Sequence, residues 1–269
     1  MRKFFRAIKA LGRILNQPSL LNLVLDEDGS WNKKLRDMKG NAYRFPSIDI
    51  RLLLKTEGLS VAPFAFLDGG SLPTDIALLK SLAVNIPNCR YFEIGTWRGE
   101  SVANVASVAK ECTTLNLSPQ QIMALGLPQQ YADLHGFFSK DLPNVTQLYG
   151  DSSTFDFAGL NQQYDLVFID GDHHYGMVKS DTENVFKHLL HENSVVVWHD
   201  AAFTPEKLRP EVICGIFAGV PHEKHHHIYH VSNSQCAVYL PQVITDTFIL
   251  NPPETPKISF GVSLTISSI

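Results

Sequence analysis

Two short apolar runs constrain this chain more than any other feature: "LVFI" at 166–169 and "VVVW" at 195–198. A strand with one wet face alternates apolar and polar residues. A strand apolar at successive positions needs cover on both faces. The runs sit inside "YDLVFIDG" and "NSVVVWHD", and "KSDTENVFKHLL" between them reads as a helix. Upstream the alternation continues, with "CRYFEIG" a strand, "GESVANVASVAK" a helix, "CTTLNLS" a strand and "NVTQLYG" another. Strand and helix in regular succession predict an α/β fold, a mostly parallel sheet with helices on both faces.

Flanking signals divide the chain. Residues 1–70 read as a helical or irregular N-terminal extension ending in the turn-rich "LDGGSLPTD". The spacing of Ile76, Leu79, Leu82, Ala83 and Ile86 predicts a helix from Pro73, and "SPQQ" carries a capping box with Ser118 as cap and Gln121 closing it. "HHIYHVSN" and "CAVYLP" predict an antiparallel hairpin at the sheet edge. Residues 71–240 therefore form the expected central domain, and 241–269 a β-rich tail whose "KISFGVSLTISSI" alternates like a strand.

The first strand runs into "YFEIGTWRGES", a glycine-punctuated turn that opens a helix. A dinucleotide fingerprint places glycine where this turn has Glu93, and its ligand is an anionic pyrophosphate. An acid there would repel a pyrophosphate and attract a cation. S-adenosylmethionine (SAM) carries a sulfonium and an amino group and no phosphate, so Glu93 favours it over a dinucleotide. Gly95 would let its methionyl part approach the backbone, and the helix after Gly99 would receive its carboxylate.

"YFEIGTWRGES" together with "LVFIDGDHHYGMVKSDTENVFKHLLHENSVVVWHD" resembles the class I SAM-dependent methyltransferases, most closely the branch with "IDGDHxY" after strand four and "HD" after strand five. The resemblance covers roughly residues 70–240. It implies a Rossmann-like sheet of order 3-2-1-4-5-7-6 with strand seven antiparallel. By position it implies that Glu93, Gly95, Thr96, Trp97, Gly99 and Ser101 line the methionyl end, that Asp151 and Ser152 meet the adenine, and that Asp170 lies beside the sulfonium. One departure concerns strand two, which in the family commonly ends in an acid that accepts from both ribose hydroxyls. Here it ends in Asn116, whose amide has one acceptor oxygen.

SAM brings an activated methyl, so the protein's task is to align an acceptor and remove its proton. "DGDHHYG" places imidazoles and carboxylates at the carboxyl edge of the sheet, where open α/β folds bind ligands. His173 is the candidate base, with Asp170 beside it. The structural alternative makes Asp172 a helix cap, and His173 and His174 solvated turn residues. Asp170 and Asp200 end neighbouring strands, with His199 adjacent, and could hold Mg²⁺ against an acceptor hydroxyl. "HEKHHHIYH" invites a zinc site at His222, His225, His226, His227 and His230, but consecutive histidines cannot all face one ion, and a polar loop entering an edge strand is the better reading. Phe137 and Phe138 are read as core packing, with a pocket wall as the alternative.

The expected activity is O-methylation of a hydroxyl on a small molecule or sugar. Alternatives are a non-catalytic SAM-binding protein, or a metal-dependent hydrolase or oxygenase using Asp170, His173, His199 and Asp200. A net charge of −4 argues against nucleic acid as partner. Four scattered cysteines suit a reducing cytoplasm. The opening "MRKFFRAIKALGRIL" has five cations and no acid, with Phe4, Phe5, Ile8, Leu11 and Leu15 at helical spacing. Its apolar stripe packs on its own domain or attaches residues 1–15 peripherally to an anionic membrane face or a partner.

Overall fold

A computed structural model describes residues 2–17, 28–55 and 58–268. In chain order the elements are α1 (Arg2–Asn16), α2 (Asp28–Lys39), β1 (Ser47–Ile48), α3 (Pro73–Val84), β2 (Arg90–Ile94), α4 (Glu100–Ala106), β3 (Glu111–Asn116), α5 (Pro119–Ala124), α6 (Gln129–Ala132) and β4 (Val145–Tyr149). They continue with β5 (Tyr164–Ile169), α7 (Tyr175–His188), β6 (Leu190–Trp198), β7 (Ala202–Thr204), β8 (Lys207–Leu208), α8 (Pro210–Gly219), β9 (Ile228–Val231) and β10 (Ala237–Tyr239).

Eight strands form one sheet in the order β1-β9-β10-β6-β5-β2-β3-β4. Pairing is parallel except that β10 runs antiparallel to both β6 and β9. From β9 to β4 this is the order expected for a Rossmann-like SAM methyltransferase fold. The hairpin, however, is not the edge. β1 pairs parallel with β9 beyond it, through Ser47–His230 and Ile48–Val231.

The apolar runs feed two cores by simple alternation. Leu166 and Phe168 join Leu78, Leu82, Val102 and Val105 of α3 and α4 on one face. Val167 and Ile169 join Val178, Val185, Ile213 and Ile216 of α7 and α8 on the other. Each successive residue therefore has an apolar environment, as such a run requires.

The three expected segments share this architecture. Ile48, Ile50 and Leu53 lie in the core with α3, and Ile244 and Ile258 pack against it. The tail is not β-rich. Beyond the bridge from Phe248 to Ser47 it has no strand among its described residues, and Val262, Leu264 and Ile266 are exposed. Alternation alone makes no strand when no neighbour offers a ladder of backbone partners. The stripe of α1 is likewise exposed along its length, so that face does not pack on the described residues of the domain. Phe137 is exposed as well, not core.

Candidate functional site

The carboxyl ends of β2, β3, β4, β5 and β6 open into one cleft of about 710 Å³, a size suited to a small molecule. It spans the place where strand order reverses, β3 lying on one side of β2 and β5 on the other. Among the residues proposed from sequence, Gly95, Trp97, Asn116, Asp151, Ser152, Asp170, His173 and Asp200 line it, joined by Asp172 and His199.

Glu93, Thr96, Gly99 and Ser101 do not. Glu93 is fully buried behind the strand end, accepting from the Tyr91 hydroxyl at 2.5 Å and from Ser101 Oγ at 3.0 Å. Burial pushes its carboxyl up to about 8, although those two bonds oppose the shift. It is thus an internal group behind the cleft wall and not one of the side chains that line it. Thr96 pairs with Thr114 between strands. Gly99 faces Ser139, where a Cβ would stand 2.4 Å from Oγ. The start of α4 is roofed by this loop, with Gly136 N donating to Trp97 O and Phe138 N to Arg98 O. Gly95 also has a different reason from the one expected. At φ +94° it would carry a Cβ 2.0 Å from the Asp170 carbonyl, so it is glycine because two strand ends meet there.

Four charged side chains converge at the ends of β5 and β6. His199 Nδ1 lies 3.1 Å from Asp170 Oδ1 and 3.2 Å from Asp200 Oδ2, and its Nε2 lies 3.2 Å from Asp75 Oδ2. Burial alone would strip the imidazole of its proton, but the three carboxylates hold its pKa well above the ordinary value. His199 is therefore an imidazolium. Burial would also raise Asp200, yet the His199 hydrogen bond and charge, with His173, keep it at about 2. His173 Nδ1 sits 3.0 Å from the same Asp200 oxygen. Asp200 adopts φ +53°, a left-handed conformation that Asp tolerates better than most residues.

Asp75 was not anticipated. It sits at the third position of α3, accepts from Leu72 N at 2.8 Å and Gln235 N at 2.9 Å, and has no exposed surface. Its signal was a lone acid in the apolar "PTDIALLKSLAV". His174, by contrast, turns away onto Asp172, whose Oδ1 also accepts from His174 N at 2.7 Å. That pair forms a local turn before α7, but the N-cap of α7 is His174 with no side-chain cap bond, so Asp172 is not the helix cap that the structural alternative described.

The opposite wall is aromatic. Trp97 packs against Tyr131 and His135, with ring centroids 4.9 and 5.0 Å away. Asn116 Nδ2 donates to His135 Nδ1 at 2.7 Å, which places the His135 proton on Nε2. That Nε2 and Trp97 Nε1 are buried with no partner in the protein. Carboxylates and an imidazole thus line one wall of the cleft and aromatic rings the other.

Mg²⁺ does not fit as expected. Asp170, His173 and Asp200 can bring one ligand atom each to within 4.8 Å of one another. Asp170 Oδ1 and Asp200 Oδ2 already face the His199 imidazolium, and a hard cation wants several oxygens in near-octahedral geometry. Among the described residues this is the sole cluster of its kind, so the histidines at 222–230 form none. His222–His227 make a 3₁₀ turn before β9, and His230 is buried between Ser47 and Ser234.

The sequence of residues 92–201 matches the family model described as "Methyltransferase domain". No curated protein matches the chain. The chain is similar to SAH-bound PaMTH1 from Podospora anserina, at 16% identity over 80% of this chain and 97% of that one, TM-score 0.47. It is similar to an O-methyltransferase from Bacillus cereus in complex with SAH, at 16% identity over 65% and 84%, TM-score 0.45. For the amino pentose methyltransferase CalS10 from Micromonospora echinaspora the values are 19% identity, 52% and 55%, and 0.37. The chain thus spans about half the length of CalS10.

Proposed function

We propose that the chain transfers a methyl group from SAM to a hydroxyl of a small or glycosyl acceptor, with His173 as general base. The observation that carries this reading is the His173–Asp200 pair at the cleft. Asp200 engages Nδ1 and leaves Nε2 free to receive a proton.

When bound, SAM supplies an electrophilic methyl on sulfur. Asp170 sits at the strand end where the resemblance puts the sulfonium, and the Trp97 and His135 rings wall the facing side of the cleft. His173 takes the hydroxyl proton on Nε2 as the acceptor oxygen becomes nucleophilic. Asp200 fixes the ring through Nδ1–H and stabilises the resulting imidazolium. His199 holds Asp170 and Asp200 in place and balances part of their charge. It keeps Asp200 ionised, which a base-orienting carboxylate must be.

The test is methyl transfer from labelled SAM over a panel of hydroxylated acceptors, repeated with His173→Ala and in EDTA. His173→Ala should lose roughly 10²–10⁴-fold in turnover, with SAM affinity little changed because the loss lies in proton removal. The base works in its neutral form, so turnover should rise with pH to a plateau. Activity abolished by EDTA and retained in His173→Ala would replace this reading with a metal-dependent one.

A further inference from the structure

We infer that α1 is an in-plane anchor for an anionic phospholipid surface. Phe4, Phe5, Ile8, Leu11 and Leu15 form one face that is open to solvent, at 68%, 65%, 52%, 58% and 73% exposed, with the half-buried Ile14 off that face. Arg6, Lys9 and Arg13 fall on the opposite side by helical spacing, and none of them forms an ion pair among the described residues. A helix of fifteen residues is marginal on its own in water and is normally held by packing of its apolar face. Here the domain supplies no such packing, so the face is built for something else.

Charge identifies the occupant. The five cations of residues 1–17 leave 18 Lys and Arg against 27 Asp and Glu in the rest of the chain. An anionic surface therefore attracts α1 and repels the body, which orients the molecule helix-down. A second copy is a poorer occupant, because joining two α1 faces doubles a positive charge that no acid in the helix offsets. At about 1.5 Å per residue the helix reaches only about 22 Å, short of the roughly 30 Å hydrocarbon core, and its polar side is charged. It lies along the interface, with the apolar face in the acyl boundary and the cations among the headgroups. No helix among the described residues is long and apolar enough to cross a membrane.

The test is co-sedimentation of the full chain with phosphatidylcholine vesicles, with and without phosphatidylglycerol, at low and high salt. Pelleting should require phosphatidylglycerol and weaken with salt. Phe5→Glu/Leu11→Glu should reduce it roughly tenfold or more, and Arg6→Ala/Lys9→Ala/Arg13→Ala by roughly tenfold to a hundredfold. Both variants should keep the parent's thermal midpoint, since all five substituted side chains are exposed. No pelleting of the full chain, or equal pelleting of Phe5→Glu/Leu11→Glu, would overturn the inference. So would a dimer in sedimentation velocity that this double variant dissolves without any vesicle binding.

Discussion

Glu93 shows how one residue's chemistry depends on where its strand points it. Along β2 it faces Tyr91 and Ser101 instead of the cleft, and burial raises its carboxyl from an ordinary 4.5 to about 8. The unfolded chain gives up this proton first, so the native state loses stability as pH rises from about 4.5, and the loss is complete above about 8. Glu93→Gln keeps both neighbours hydrogen-bonded and has no proton to lose. Its stability relative to the parent should therefore climb across that window, by on the order of several kcal/mol. Urea denaturation at pH 5 and pH 8 measures this, and a gap equal at both would show that the Glu93 carboxyl is not perturbed. Nothing in "YFEIGT" reveals this orientation, because the motif states that an acid is present and not which face of the strand it takes. His173 was more legible: its neighbour Asp200 follows the next strand in the sheet, and parallel pairing of β5 with β6 brings the two strand ends together.

Elements were read more reliably than side-chain directions, because periodicity reports burial directly. The capping box at α5 holds, with Ser118 Oγ accepting from Gln121 N at 3.2 Å and Gln121 Oε1 from Ser118 N at 2.9 Å. What the sequence could not disclose was long-range backbone capture. Residues 62–70 are stapled across α4: Asn104 accepts from Ala62 N at 2.7 Å and donates to Pro63 O at 2.8 Å, Glu100 accepts from Ala65 N at 2.7 Å, and Arg98 donates to Asp68 O at 2.9 Å. This strap carries Gly69 and Gly70 onto the lip of the cleft. Asn104→Ala removes two part-buried hydrogen bonds to the strap and should cost about 0.5–1.5 kcal/mol. It should also speed proteolysis within 62–70. Cleavage at the parental rate would show that the strap is held by other means. The tail marks the opposite error, where a strand-like pattern found no neighbouring strand to complete it.

At the scale of the molecule, the sheet gathers at one edge residues that lie far apart in the chain. Asp75 comes from α3, the helix that precedes β2, Asp170 and His173 from the end of β5, His199 and Asp200 from the end of β6, and Trp97 and His135 from the facing loops. The parallel order was predictable from the paired apolar runs. The addition of β1 beyond the hairpin was not, because two residues, Ser47 and Ile48, are too few to show a period. The central claim is that this edge binds SAM, and the most direct test is hydrogen exchange of the full chain with and without S-adenosylhomocysteine. The product should slow exchange at 95–97, 116–117, 150–152 and 170–173 and leave α1 unchanged. Absence of protection at those segments at saturating ligand, or protection confined to other parts of the chain, would contradict the account.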